Sequence, residues 1–195
     1  MTPRLDLSAA PRTLHTARLR LESPRLDHAA AFAEGVSATL PALAYVAWSQ
    51  RTCDLSWAER FCLDDARCVA AGEDLVFHVF TVADGTWVGR IDVHSIEFQA
   101  PRGEIGYVGN LRCAGRGLMR EAVLAVMALC WQLGFARIEA LSDARNQRAL
   151  HFAQTLGLRR EGLLRHHERD PQGQLCDMVL YAALHPQQLP TGSGL

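Results

Sequence analysis

The most informative absence in this sequence is lysine. Its 195 residues include twenty basic side chains, and all of them are arginine. A nucleotide-binding loop of the Walker type needs a lysine to reach the phosphates, a Schiff-base enzyme needs one as its nucleophile, and a protein kinase needs one on its third strand. The sequence therefore excludes these three classes of protein.

Other absences narrow the function further. The formal net charge is only -1, so no global positive field favours nucleic acid or an anionic membrane. The six cysteines form no Cys-x-x-Cys pair and have no histidine partners at zinc spacing. No apolar run reaches the roughly 18 residues of a membrane span, and the N-terminus lacks the apolar core of a signal peptide. We therefore predict a cytoplasmic protein that uses no metal and binds neither nucleic acid nor membrane.

Both ends of the chain differ in composition from the middle. Residues 1–16 and 187–195 are rich in Pro, Gly, Ser and Thr and show no hydrophobic periodicity, which predicts a mobile N-terminal segment and a flexible C-terminal tail. Between them, residues 17–186 have the length and apolar content of one domain.

The order of hydrophobic patterns predicts an α/β domain of the α+β type. Two helical segments follow a first strand, and then come a strand meander, a strand-helix-strand-helix unit and a terminal hairpin. Such an order indicates a mixed twisted sheet flanked by helices, with a βαβ unit at its centre. Within this unit, Leu118, Ala122 and Val126 repeat at helical spacing, which predicts a helix from near Gly117 to Gly134.

A glycine pair, Gly115 and Gly117, lies directly before that helix. The start of a helix leaves about four backbone N–H groups without partners and carries a partial positive charge, so glycines there allow an anion to approach closely. The same pair is equally typical of an ordinary turn. The Rossmann pattern is absent, because no third glycine follows at the required spacing.

Two longer stretches resemble a known family. "GEIGYVGNLRCAGRGLMREAV" is similar to the central motif of the GNAT superfamily of N-acetyltransferases, and "ARIEALSDARNQRALHFAQTLGLRREGLLR" is similar to its next strand, helix and strand. The likeness is greatest to the Rim group, which acetylates the N-termini of ribosomal proteins. It implies a single GNAT-like domain whose βαβ unit binds coenzyme A.

The resemblance implies that acetyl-CoA is the cosubstrate. Its diphosphate would lie on the amides of Gly115 to Met119, and its pantetheine arm would lie beside the end of the preceding strand. Ala114 stands where the family usually has Gln or Arg. Arg112 also fits an Arg-x-x-Gly-x-Gly pattern with the two glycines, but we interpret this fit as a coincidence of register. The predicted cofactor-binding residues are Val108, Gly109, Asn110, Ala114, Gly115, Arg116, Gly117, Leu118, Met119 and Asn146.

Glu168 and Asn146 form the predicted catalytic set. Glu168 lies seven residues after Glu161, where the resemblance to the Rim group implies a general base, and Glu104 is the rival base because other GNAT branches have a catalytic glutamate on that strand. Asn146 would cap its helix and contact the pantetheine arm. In a regular strand, His166 would share a face with Glu168.

The general acid of the family is missing. Ala149 replaces a serine that is frequent in the Rim group, and Ala153 replaces the tyrosine that protonates the thiolate in other branches. Coenzyme A thiolate could leave with help from water or a backbone N–H, or His151 or Cys113 could substitute.

The implied function is transfer of an acetyl group to a primary amine, with direct attack in a ternary complex. The acceptor is a protein N-terminus by analogy with the Rim group, or a small-molecule amine. A module that binds acyl-CoA with impaired catalysis is the alternative from another class. The sequence also allows a homodimer.

Overall fold

The computed structural model describes residues 5–46 and 53–186, which form one sheet with helices on both faces. The strands are β1 (Thr13–His15), β2 (Leu19–Glu22), β3 (Leu75–Thr81), β4 (Trp87–Glu97), β5 (Arg102–Gly109), β6 (Arg137–Asp143), β7 (Arg159–Arg169) and β8 (Leu175–Leu184). The α-helices are α1 (Ala29–Ser37), α2 (Leu55–Ala71), α3 (Leu118–Leu133) and α4 (Gln147–Thr155).

The sheet has the order β1-β2-β3-β4-β5-β6-β8-β7. Neighbouring strands are antiparallel except β5 and β6, which are parallel and joined through α3. A parallel pair needs a crossover of this kind, whereas antiparallel neighbours can be joined by tight turns. The predicted mixed sheet with a central βαβ unit is confirmed.

The central helix has the predicted limits. α3 begins after Gly117 and ends at Gly134, and both glycines have positive φ, at 72° and 100°. A side chain in this left-handed region costs roughly 1–2 kcal/mol, which explains glycine at both ends.

Two hydrophobic layers hold the helices to the sheet. The larger one joins α3 and α4 to one face and includes Val126 and Ile138, while the smaller one joins α1 and α2 to the other face around Phe32 and Trp87. None of the helices that the structure describes is both long and apolar enough to cross a membrane.

The N-terminal segment differs from the prediction in residues 5–16. Leu5 and Leu7 are buried in the larger core, the amide of Asp6 donates to the carbonyl of Leu133, and β1 pairs with β2. The two leucines alone show no periodicity in the sequence, but together they cover apolar surface at the end of α3. The predicted tail at 187–195 lies outside the described residues.

Candidate active site

The parallel strands β5 and β6 pair over only part of their length. Their register joins Arg102 to Arg137, Gly103 to Ile138 and Glu104 to Glu139. Beyond this point β5 continues beside β4 as far as Gly109, whereas β6 continues beside β8. The strands therefore separate and leave two facing edges whose backbone groups can pair with an extended ligand.

A cavity of about 470 Å³ occupies this opening and continues toward α2 and β7. Three residues of the predicted site line it, Val108, Asn146 and Glu168, and so does the rival base Glu104. The remaining lining comes from several elements: Tyr45, Val46, Phe61, Arg90, Asp92, His94, Ile105, Gly106, Tyr107, Ala140, Leu141, Ser142, Asp143, Ala149 and Met178.

The glycine loop lies at the start of α3. Gly115 and Gly117 have φ of 74° and 72°, and residues 114–117 are exposed. No side chain in the described part of the chain caps this helix start. The glycines therefore make a turn and also leave the first amides of α3 open to an anion, so the two interpretations of the pair are compatible.

The side chains of the two residues after the glycine loop pack inside the protein, so only their backbone amides remain for a ligand. Leu118 is buried in the core, and Met119 packs on the sheet, where a Cβ added to Gly109 would lie 2.9 Å from its Cγ. Asn110 is also buried; its Nδ2 donates to the carbonyl of Trp87 at 2.9 Å, and its Oδ1 accepts from the amide of Arg112 at 3.0 Å. The contact of Asn110 with pantetheine stays a prediction.

Arg18 braces the glycine loop, and sequence reasoning did not find it. Its guanidinium donates to the carbonyl of Arg116 at 3.0 Å and to Oε2 of Glu121 at 2.7 Å. These contacts tie the loop to the first turns of α3. Arg112 instead pairs with Glu34 of α1. Nothing in the local pattern identifies Arg18, because its partners are about a hundred residues away along the chain.

Asn146 caps α4 as predicted, because its Oδ1 accepts from the amide of Ala149 at 3.2 Å. Ala149 lines the cavity, but Ala153 is buried in the larger core. Neither His151 nor Cys113 is among the described residues that line the cavity. The two alternative proton donors therefore do not face the opening in this structure.

Glu168 is presented by a bulge in β7. The register joins Leu164 to Met178 and Glu168 to Cys176, so three residues of β7 lie opposite Asp177 alone. His166 has φ of 49°, and its amide donates to Oδ1 of Asp177 at 2.9 Å. The strand is not regular here, so the assumption behind a shared face for His166 and Glu168 is wrong.

The bulge predicts different tolerances at neighbouring histidines. His166→Val should lower the free energy of unfolding by about 1–2 kcal/mol, because a β-branched residue is disfavoured at positive φ. His166→Gly should be accepted. Urea unfolding measures both changes, and His167→Val is the matched control. Equal unfolding free energies for His166→Val and His167→Val would contradict this account.

A series of charged side chains from β4 lines one side of the cavity. Arg90 is buried and forms two hydrogen bonds of 2.7 Å with Asp65 of α2, and it also pairs with Asp92. Burial alone would lower the pKa of Arg90, but Asp92 and Asp65 raise it above its ordinary value. Sequence reasoning missed this series, although polar residues at 90, 92 and 94 alternate along an otherwise apolar strand.

His94 extends the series to the rival base. Its Nδ1 lies 2.9 Å from Oδ2 of Asp92, out of line for a regular hydrogen bond, and its Nε2 lies 3.8 Å from Oε2 of Glu104. The contact with Asp92 raises the pKa of His94. Burial raises the pKa of Glu104, and the negative charge of Glu168 raises it further. Glu168 therefore acts on Glu104 across one cavity.

Among the described residues, no group of three or more His, Cys, Asp or Glu side chains is placed to hold a metal ion, and a reaction without metal stays a prediction.

Comparisons with known proteins agree with the motifs. A sequence model of the acetyltransferase (GNAT) domain matches residues 18–159. Over 98 residues the chain is 30% identical to the uncharacterised N-acetyltransferase p20 of Bacillus licheniformis. That match covers 50% of this chain and 54% of p20, so it spans about half the length of that curated relative.

Two solved structures have the same fold. One is the microcin C7 self-immunity acetyltransferase MccE, whose structure was determined with acetyl-CoA and AMP. Its TM-score is 0.82 at 18% identity, and the match covers 92% of this chain and 99% of the MccE chain. The ribosomal L7/L12 α-N-protein acetyltransferase RimL, determined with coenzyme A, has a TM-score of 0.79 at 19% identity, with 87% and 95% covered. At these identities the likeness establishes the fold and not the substrate.

Proposed function

Because the chain belongs to the GNAT acetyltransferase family, we propose that it transfers an acetyl group from acetyl-CoA to a primary amine, with direct attack in a ternary complex. One observation carries the proposal. A single cavity joins the opening between β5 and β6 to the carboxylates of Glu104 and Glu168. An extended acyl donor and an amine acceptor would meet there with a proton acceptor within reach.

The residues present suit the coenzyme. The uncapped start of α3 offers backbone donors to a diphosphate, and the residues before it are exposed. Arg18 holds the loop in place from outside. Beside the opening, the free edge of β5 near Val108 would pair with the amides of the pantetheine arm, and Asn146 lines the same cavity.

Acetyl-CoA, when bound, supplies an acetyl group activated as a thioester. The chain then has to remove protons from the acceptor nitrogen, and Glu168 is the favoured base. It is exposed to the cavity, and no cation of the described chain forms an ion pair with it. Glu104 is more buried and already lies near His94, so it is less free to contact an incoming ammonium.

For the acceptor we propose a protein N-terminal amine. The sequence motifs resemble the Rim group, and RimL, one of the solved structures with this fold, is named as an acetyltransferase of protein α-amines. A small-molecule amine is the second candidate. It is favoured by the modest volume of the cavity, about 470 Å³, and by MccE, whose structure holds the small molecule AMP.

Calorimetric titration with coenzyme A is the first test. We expect saturable binding, and we expect Gly115→Val to weaken it about tenfold or more, since losing one or two hydrogen bonds to a charged group costs about 1.5–3 kcal/mol each. Gly173→Val is the matched control, because Gly173 also has positive φ, at 80°, but lies in the turn between β7 and β8. An absence of binding would remove the proposed function.

The second test identifies the acceptor. Peptides with N-terminal serine or alanine, an amino-acid amide and butylamine are incubated with acetyl-CoA, and each is examined for the mass increase of one acetyl group. Acetylated peptide ends with unmodified butylamine would support the protein acceptor, and the reverse would support a small molecule. Coenzyme A binding without transfer to any amine would favour a binding module with impaired catalysis.

A further inference from the structure

Two residues with a strained backbone lie in two of the strands that line the cavity, β4 and β7. Among the residues that the structure describes, Ser95 and His166 are the non-glycine residues with positive φ, at 51° and 49°. His166 lies in the bulge before Glu168. Ser95 lies in a bulge of β4 directly after His94, where the register to β5 shifts. Bulges of this kind often lie beside active sites, where they redirect a side chain.

The contacts of His94 place each ring nitrogen near a carboxylate, Nδ1 near Asp92 and Nε2 near Glu104. The carboxylate of Asp92 is held by Arg90, which in turn is anchored on Asp65. Nδ1 makes no hydrogen bond with Asp92, but the nearby negative charge favours the protonated ring. The side chain of His94 is 37% exposed, and it lines the cavity. The imidazole is therefore accessible from the cavity, with Nε2 on the side of Glu104.

The surroundings of His94 are mostly acidic. Three carboxylates act on it directly, Asp92 from its own strand, Glu104 from β5 and Asp74 from the residue before β3. Beyond them, Glu168 of β7 acts on Glu104, and Arg90 joins Asp92 to Asp65 of α2. An imidazolium formed at His94 would lie between Asp92 and Glu104. This arrangement stabilises a proton that arrives at Nε2.

Resting on the acetyl transfer proposed above, we propose that Nε2 of His94 accepts the first proton of the acceptor ammonium, and that Glu168 accepts the second. Loss of the first proton leaves an electron pair on nitrogen. This pair forms the C–N bond to the acetyl carbon as the C–S bond breaks and its electrons pass to sulfur. The second proton passes from nitrogen through Glu168 to the sulfur and gives the thiol. The proton on His94 returns to water, so one proton is released in each turnover.

The first proton is assigned to His94 because an imidazole is a stronger base than a carboxylate. An ordinary glutamate has a pKa of about 4.3, whereas an α-amine has one near 8, so a carboxylate is a weak base for an ammonium at neutral pH. Asp92 favours the charged form of His94 and raises its pKa above the ordinary value of an imidazole. An imidazole in this range is well matched to the task at pH 7 to 8. This role for His94 does not depend on a general acid at position 149 or 153, where the chain has alanine.

The test is the pH profile of kcat/KM between about pH 5.5 and 9, measured with the amine from the acceptor panel that reacts best. In the wild type, kcat/KM should rise as His94 loses its proton and then reach a plateau. In His94→Gln, only the fraction of acceptor that is already neutral can react. We expect kcat/KM to be at least about tenfold lower at pH 7 and to rise about tenfold per pH unit. His15→Gln, at an exposed position in β1, should reproduce the wild-type profile.

A measurement without turnover tests the same residue. The imidazole signals of the ligand-free protein are titrated by NMR, and His94 is assigned by its absence in His94→Gln. The pKa should coincide with the acid limb of the wild-type kinetics, and Asp92→Asn should move both toward 6.5. The two values must agree if His94 is the proton acceptor.

The outcomes are distinct. A uniform drop in kcat/KM with the wild-type profile preserved, or an acid limb that does not match the NMR titration, would overturn the role of His94 and leave the transferase function intact. If the wild type transfers acetyl to no amine while its imidazole titrates as described, the proposed function has failed, and the role of His94 fails with it.

Discussion

Glu168→Gln is expected to lower kcat for acetyl transfer by about 10²–10⁴-fold, the range that a positioned acid or base contributes. Glutamine keeps the size of the side chain and its capacity to accept a hydrogen bond, but it cannot take a proton at neutral pH. Because the side chain is exposed at the cavity, the free energy of unfolding and the Kd for coenzyme A should be unchanged. Steady-state kinetics and calorimetry measure the three quantities.

Glu104→Gln is the comparison that decides between the two candidate bases. If Glu168 is the base, Glu104→Gln should reduce kcat less than Glu168→Gln does. It should also lower the pKa of His94, since a neutral side chain at 104 no longer favours the imidazolium. The opposite order, with the greater loss in Glu104→Gln and near-normal turnover in Glu168→Gln, would assign the base to β5.

Arg90→Leu is expected to lower the free energy of unfolding by about 3–5 kcal/mol, which is the usual effect of removing one partner from a buried ion pair. Arg90 is the shared partner of Asp65 and Asp92. Without it, Asp65 would stay buried with no cation beside it, and Asp92 would keep only the imidazole of His94. Chemical denaturation at pH 7 measures the change. Arg25→Leu is the matched control, since Arg25 pairs with Asp27 on the exposed surface and its loss should have no measurable effect.

The deficit of Arg90→Leu should also depend on pH. Burial raises the pKa of Asp65 and opposes the charge on Asp92, and Arg90 counteracts burial at both. In the variant both folded-state pKa values rise above those of the unfolded chain. A group of this kind destabilises the fold fully at pH values above its folded pKa, and the effect declines as the pH falls from there to the unfolded pKa. The gap between variant and wild type should therefore shrink as the pH falls from 7 toward the pKa of an unfolded aspartate, about 3.9. A gap that is constant over this range would indicate lost packing rather than unpaired charge.

The cofactor loop was predictable from sequence for a local reason. Gly115 and Gly117 are needed where they stand because the backbone has positive φ there, and the helix that follows declares itself by its apolar stripe. Asn146 was predictable as a cap in the same way. Each signal arises from residues within a few positions of one another, so a linear sequence can contain it. The position of Glu168 came from a family resemblance, and its role in catalysis stays a prediction.

The surroundings of these residues depend on contacts that are distant in sequence. Arg18 reaches the loop at Arg116, and Asp65 reaches Arg90, only because strands and helices far apart in the chain pack together. The bulge that presents Glu168 depends on a hydrogen bond to Asp177 in the partner strand. Residues 5–16, which have no pattern of their own, are ordered by the apolar surface that the rest of the chain creates.

The sequence by itself determined the order of the elements, the glycine loop, the helix caps and the exclusion of lysine-dependent chemistry, since each follows from residue type and short spacing. Only the tertiary structure decided that β5 and β6 part after Glu104, that Glu104 and Glu168 share one cavity, and that His94 lies between Asp92 and Glu104. Strand register and side-chain proximity across a sheet are set by the packing of the whole core, and for that reason no local pattern could contain them.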